Sequence, residues 1–170
     1  GTSILATEKR AALNGVLSAA ELDSCSALIR SPGISVVADA LTARDAGGVH
    51  ALHDPTEGGL LTGIWEMADA AQRGVEVHID KVPVFPESRS LCDLCGINIL
   101  RTLASGALLI GISPQHSDKL LETLQQHSIP ATTIGHFTDQ DRVCIRSGER
   151  SLLHPSAQDP LATVFQTNLP

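Results

Sequence analysis

The chain has 170 residues, enough for one sizeable hydrophobic core or a domain with a helical appendage. A formal net charge of −7 and a pI near 5.4, with no basic run, exclude a nucleic-acid surface built on clustered Lys and Arg. Apolar residues make up 42% of the chain but aromatic residues only 2%, so the core must come from Leu, Ile, Val and Ala.

From the N-terminus, SILATEKRAAL has helical spacing, and a helix is expected from about Ser3 to Leu13, stopped by Asn14 and Gly15. A second helix is expected over about Ala19–Ile29, with Ser31–Gly33 as a turn. The next stretch places Ile34, Val37, Ala38, Leu41 and Ala46 on one side of a helix that Gly47 and Gly48 terminate. VHAL, beginning at Val49, reads as a buried strand. From about Pro55 to Arg73, Leu60, Leu61, Ile64, Trp65, Ala68 and Ala71 recur at three- and four-residue steps, with Gly74 closing that helix.

VEVHID alternates as a strand should, and KVPVFPESRSLCDLCG reads as a loop followed by roughly two helical turns. Gly106–Ile112 is nearly all apolar and is the candidate central strand. The segment from Pro114 carries Leu120, Leu121 and Leu124 on one helical face. ATTIGHF and RVCIRSG are expected as strands paired across the TDQD turn, and the polar tail from about Ser156 as loosely held. Together these elements predict one α+β domain with layered α/β/α character: a helical segment over about 1–46, a core over about 47–155 and a tail over about 156–170. With no long apolar span and no signal-peptide pattern, the chain reads as soluble and cytoplasmic, its Cys25, Cys92, Cys95 and Cys144 as reduced thiols.

The stretch HDPTEGG, His53–Gly59, carries the chemical question. Asp54 as N-cap, Pro55 at the first helical position and Glu57 three residues on make a capping box, which accounts for those residues without any function. Gly58 and Gly59 are not explained by it, since each costs roughly 1 kcal/mol against Ala inside a helix. Bare backbone there serves either a closely packed neighbouring element or an anionic ligand at a helix N-terminus. The carboxylates of Asp54 and Glu57 suit an Mg²⁺-nucleotide better than bare phosphate. Neither GxxxxGK[ST] nor GxGxxG occurs.

GTSILAT, ISVVADALTARDAGGVHALHDPTEGGL, GVEVHIDKVPV, LCDLCG and SGALLIGI, in this order, resemble the C-terminal domain of the AIR synthase-related superfamily. The likeness runs from Gly1 to about Gly135 and is strongest to the subgroup of hydrogenase expression/formation factor HypE. It implies a PurM C-terminal-domain-like mixed sheet flanked by helices, closing a nucleotide cleft over the DPTEGG turn. It also implies a parent enzyme that uses ATP and Mg²⁺, with most ligands in an N-terminal half, a small-molecule or protein acceptor, and a homodimeric whole. Carried over by position, His53, Asp54 and Glu57 take catalytic roles, and Thr56, Gly58, Gly59, Ser105 and Gly106 bind nucleotide. Asp54 is the implied metal ligand. The chain departs from the HypE pattern with Glu57 in place of an Arg and Ser105 in place of an acidic residue. It also reads Asn168, Leu169, Pro170 where HypE carries its acceptor cysteine, so carbamoyl dehydration is not expected. The alternative reading is a stand-alone binding or interaction module in which the glycines permit tight packing on a partner.

Cys92 and Cys95 form a CxxC without a second pair or suitably spaced histidines, so they are expected to pack as small apolar residues. His50 and His53 could share one side of the approach to the turn and do acid–base work.

Overall fold

The computed structural model describes residues 1–166, so the expectation for Asn168–Pro170 lies outside the described residues. Its helices and strands follow in chain order as α1 (Thr2–Glu8), α2 (Arg10–Leu13), α3 (Ala19–Ala27), α4 (Val37–Ala46), β1 (Val49–His53), α5 (Gly59–Ala70), β2 (Gly74–His78), α6 (Pro86–Leu94), β3 (Leu109–Ile112), α7 (Ser117–Gln126), β4 (Gly135–Thr138), β5 (Arg142–Arg146), β6 (Glu149–Leu152) and α8 (Pro160–Gln166). The expected first helix is broken at Lys9, whose φ of −101° and ψ of 12° leave the helical region. α3 begins in a capping box: the Ser18 hydroxyl accepts from the Glu21 N–H while the Glu21 carboxylate accepts from the Ser18 N–H.

Two sheets form. In the larger, the order is β4-β2-β5-β6, with β2 and β5 parallel and the other pairs antiparallel, which makes it mixed. The expected β4–β5 hairpin does not occur, because β2 lies between the two strands and bonds to both. Gly74 is what lets it in: a Cβ there would collide with the Gln140 carbonyl of the TDQD turn, so only a bare backbone passes under that loop. Gly74 therefore opens β2 rather than closing α5, which ends at Ala70 with Ala71 as its C-cap before the left-handed Gln72 (φ 51°).

The smaller sheet is the antiparallel pair β1–β3. The expected central strand is thus half of a two-stranded ribbon, and the expected buried strand exposes Ala51 and Leu52. Both faces of that ribbon are covered: Val49, Ile110 and Ile112 pack on Ala43 of α4 and on Leu120 and Leu124 of α7, while Leu109 joins the residues of α5 on the other side. Of the apolar stripe expected along α4, Ala46 alone packs against this cluster. The buried residue of α4 is Ala43, while Ile34, Val37 and Leu41 are 51%, 63% and 45% exposed. The methyl-sized Ala43 suits the close approach of α4 to α7, and the larger residues are left outside.

The main core lies between α5 and the four-stranded sheet, where Leu61, Ile64 and Ala68 meet Val75, Val77, Cys144 and Leu153. A second core joins helices only: Leu5 and Ala6 of α1, Leu22 and Cys25 of α3, Leu91 and Cys92 of α6, and Leu161 and Val164 of α8. The segment expected as a loose tail is therefore anchored through residue 166, because α8 contributes two buried apolar side chains.

Candidate functional site

α5 does not begin at Pro55, and the Asp54–Glu57 capping box is not formed. The helix starts at Gly59, its N-cap is Gly58, and no side chain of its own turn caps it. Gly58 (φ 77°) and Gly59 (φ 70°) are both left-handed, and two such residues in succession hold off right-handed helix until they are past. Pro55 is buried instead, against the bare Cα of Gly63, where a Cβ would come within 2.7 Å of the Pro55 Cβ.

A Cβ on Gly59 would lie 2.6 Å from the Arg101 carbonyl carbon and 2.7 Å from both the Leu100 oxygen and the Thr102 nitrogen. A Cβ on Gly58 would lie 2.6 Å from the Thr62 hydroxyl. Bare backbone at the turn thus meets two demands inside the domain, left-handed φ and the crossing of the 100–102 chain. Neither demand consumes the side chains around the turn.

Those side chains form a rim. The Thr56 carbonyl accepts from the Gly59 N–H (3.1 Å) and from the Ala104 N–H (3.2 Å), so one oxygen ties the turn to the loop carrying Ser105 and Gly106. Asp54, Thr56, Glu57, Ser105 and Gly106 are all exposed along that joined edge. Gly106 (φ 99°) abuts the Gly33 carbonyl, 3.0 Å from where its Cβ would stand, which brings the lead-in to α4 against the same loop. His53, at the end of β1, pairs through Nε2 with the Glu66 carboxylate at 2.8 Å. His50 pairs separately with Ser113 (2.7 Å), so the two histidines are not brought into one site. Asp54 is a single carboxylate at the rim; among the described residues no group of three or more His, Cys, Asp or Glu side chains could hold a metal ion.

One residue at the turn was not anticipated. The Gly58 N–H donates to Asp159 Oδ2 at 2.9 Å, and Asp159 Oδ1 accepts from the Leu161 N–H at 2.8 Å, beside the start of α8. The segment leading to it is held by the Ser156 N–H on the Thr62 hydroxyl (3.0 Å) and by Arg101 on the His154 carbonyl and the Ser156 hydroxyl. The signal was available: Asp159-Pro160-Leu161 is a cap residue, a first-turn proline and an apolar residue, the pattern of a helix start.

The CxxC behaves as a packing element. Cys92 is fully buried in the helical core, and burial, reinforced by the neighbouring Cys95, pushes its thiol up to about 12, away from the reactive thiolate.

Residues 11–147 match the family described as AIR synthase related protein, C-terminal domain. The carbamoyl dehydratase HypE of Escherichia coli strain K12 is 33% identical over 104 residues, which is 60% of this chain and 31% of that protein. The crystal structure of E. coli HypE, a hydrogenase maturation protein, superposes with a TM-score of 0.67 at 29% identity, covering 76% of this chain and 42% of that one. A structure of the hydrogenase maturation protein HypE in complex with ATP gives a TM-score of 0.61 at 27% identity over 68% of this chain and 38% of that one. The chain therefore spans about a third of the length of the curated HypE relative. The mixed sheet with its flanking helices is shared with these proteins, and the chain belongs to the AIR synthase-related family, of which it carries the C-terminal domain.

Proposed function

We propose that the chain is the C-terminal domain of an ATP-dependent enzyme of the AIR synthase and HypE kind, working in the cytoplasm with an N-terminal half that supplies most nucleotide ligands. Its DPTEGG turn and Ser105–Gly106 loop close the nucleotide and acceptor cleft. The observation that carries the reading is the Thr56 carbonyl, which holds the two loops in one edge and leaves Asp54, Thr56, Glu57 and Ser105 free to meet a ligand. In this reading Thr56, Gly58, Gly59, Ser105 and Gly106 line the phosphate side. His53, steadied by Glu66, and the carboxylates of Asp54 and Glu57 stand where protons are moved at the acceptor. ATP, when bound, supplies the phosphoryl group that activates the acceptor.

Asp54, a carboxylate exposed at the rim, would offer Mg²⁺ one ligand, the remaining positions falling to phosphate oxygens, water and the other half. Glu57 and Ser105 differ from the HypE pattern, so the acceptor is a different small molecule or protein group from a HypE-type carbamoyl carrier. The exposed Ile34, Val37 and Leu41, adjoining the Gly106 loop, supply apolar surface for the N-terminal half or a second subunit of a homodimer. The same surface is what a stand-alone interaction module would use, and the test separates the two. In a protein carrying both halves, Mg-ATP binding measured by calorimetry is expected to weaken about tenfold in Asp54→Asn and in Ser105→Ala, with melting unchanged. No binding in the parent, or equal affinity in all three proteins, would leave the module reading standing.

A further inference from the structure

The amide hydrogen of Gly58 is the donor that a phosphate oxygen at this turn would seek, and it is already taken. Asp159 Oδ2 accepts it at 2.9 Å. Gly58 is buried, so the carboxylate closes the approach to that N–H as well as using it. The first turn of α5 contains no acidic residue, and the positive end of the helix is answered by this carboxylate from 101 residues away. Asp159 does not reach the turn by accident of a mobile end. Its other oxygen accepts the Leu161 N–H, the chain before it is pinned at Ser156 on Thr62, and Leu161 and Val164 are buried beyond it.

We propose that Asp159 is a built-in competitor for the anion position of the glycine turn: its carboxylate fills the place of a phosphate oxygen, and a phosphorylated ligand binds there only by displacing it. The inference rests on the reading of the turn as a phosphate site and adds its regulation. A carboxylate and a phosphate cannot both take one amide hydrogen at full strength, and two anions side by side repel, so occupancy is exclusive. Displacement requires only that the Asp159 side chain leave Gly58; α8 keeps its apolar anchors throughout.

The test uses the 170-residue chain, nitrogen-15 labelled, titrated with inorganic pyrophosphate in excess Mg²⁺ while the Gly58 amide resonance is followed. Asp159→Ser removes the reach to Gly58 but keeps a good cap for α8, and Asp159→Ala removes both. Both variants are expected to bring the pyrophosphate-induced shift of the Gly58 amide to about tenfold lower concentration than in the parent, the weight of one charge-assisted hydrogen bond. Should Asp159→Ala loosen α8, seen in the Leu161 amide, Asp159→Ser decides alone. Equal titration midpoints in parent and variants would overturn the competition while leaving the turn as a phosphate site. A higher midpoint in the variants would also overturn it, making Asp159 a support of the turn. A Gly58 amide that moves in none of the three proteins would remove the phosphate role itself, and the competition with it.

Discussion

Replacing Gly59 by Ala adds one methyl group at the most crowded point of the turn. The new Cβ would stand 2.6–2.7 Å from three atoms of the 100–102 backbone, well inside van der Waals contact. None of them is the tip of a movable side chain. Thr102 is buried, and its hydroxyl donates to the Asn98 carbonyl at 2.8 Å, which fixes the crossing segment. Left-handed φ costs an L-residue about 1–2 kcal/mol, and forcing an extra carbon into packed surroundings about 1–3 kcal/mol more. Gly59→Ala should therefore cost about 2–5 kcal/mol, a large part of the stability of a domain that totals about 5–15 kcal/mol. Gly96 is the control, because its φ of 65° matches and nothing lies within 4 Å of its Cβ position, so Gly96→Ala should cost the backbone share alone. Gly58→Ala falls between, since the Thr62 hydroxyl in its way can rotate, although doing so releases the Ser156 N–H. Urea unfolding followed by far-ultraviolet circular dichroism measures all three. Equal losses at Gly59 and Gly96 would refute the crossing segment as the reason for the glycine.

Two further outcomes follow from the helical core. Cys92 keeps its proton in the folded chain up to about pH 12, whereas the unfolded thiol ionises near 9.0. The unfolded state therefore sheds a proton that the folded state retains, so this contribution is intact below pH 9 and falls by about 1.4 kcal/mol per pH unit above it. Urea melts at pH 8 and pH 10 should show a steeper alkaline loss in the parent than in Cys92→Ala; parallel losses would contradict the burial of that thiol. Leu161→Ala should cost about 2–5 kcal/mol, as for a core leucine, against less than about 0.5 kcal/mol for a residue on a loose tail. An unchanged urea midpoint would detach α8 from the core.

What could be read from the sequence was local. The periodicity of Leu61, Ile64 and Ala68, the alternation of Val75 and Val77, and the Leu120–Leu124 face all appear where their spacing puts them. What could not be read was who sits next to whom. β2 inserts between β4 and β5 because Gly74 lets the Gln140 carbonyl approach, a contact between residues 66 apart that no window contains. α4 leaves most of its apolar stripe exposed for a related reason: Ala43 is the residue small enough for α7. At the site, His53–Gly59 and Ser105–Gly106 were visible as motifs, and their joining through one carbonyl was not. Asp159 lies in a polar, proline-containing end that has the composition of a loose one, although its Asp-Pro pair is the same helix-start pattern as Asp54-Pro55. The two pairs behave oppositely. Asp54-Pro55 precedes two left-handed glycines that postpone the helix, while Asp159-Pro160 runs directly into α8.

The glycine pair shows why a structural cause and a ligand role need not compete. A crossing backbone explains why residue 59 has no side chain, yet the same crossing is what draws the Ala104 N–H onto the Thr56 carbonyl and sets Ser105 beside the turn. Carboxylates dominate what results: Asp159 fills the Gly58 N–H, and Asp54 and Glu57 stand exposed next to it. Bare phosphate arriving there meets negative charge before it meets a donor. On the proposed reading, a divalent cation has to arrive with the nucleotide, because Asp54 alone offers the cation one ligand and the phosphates supply the rest. On that reading a bound cation would screen the carboxylates where a phosphate would take the position of Asp159, so metal and nucleotide would bind together at this turn.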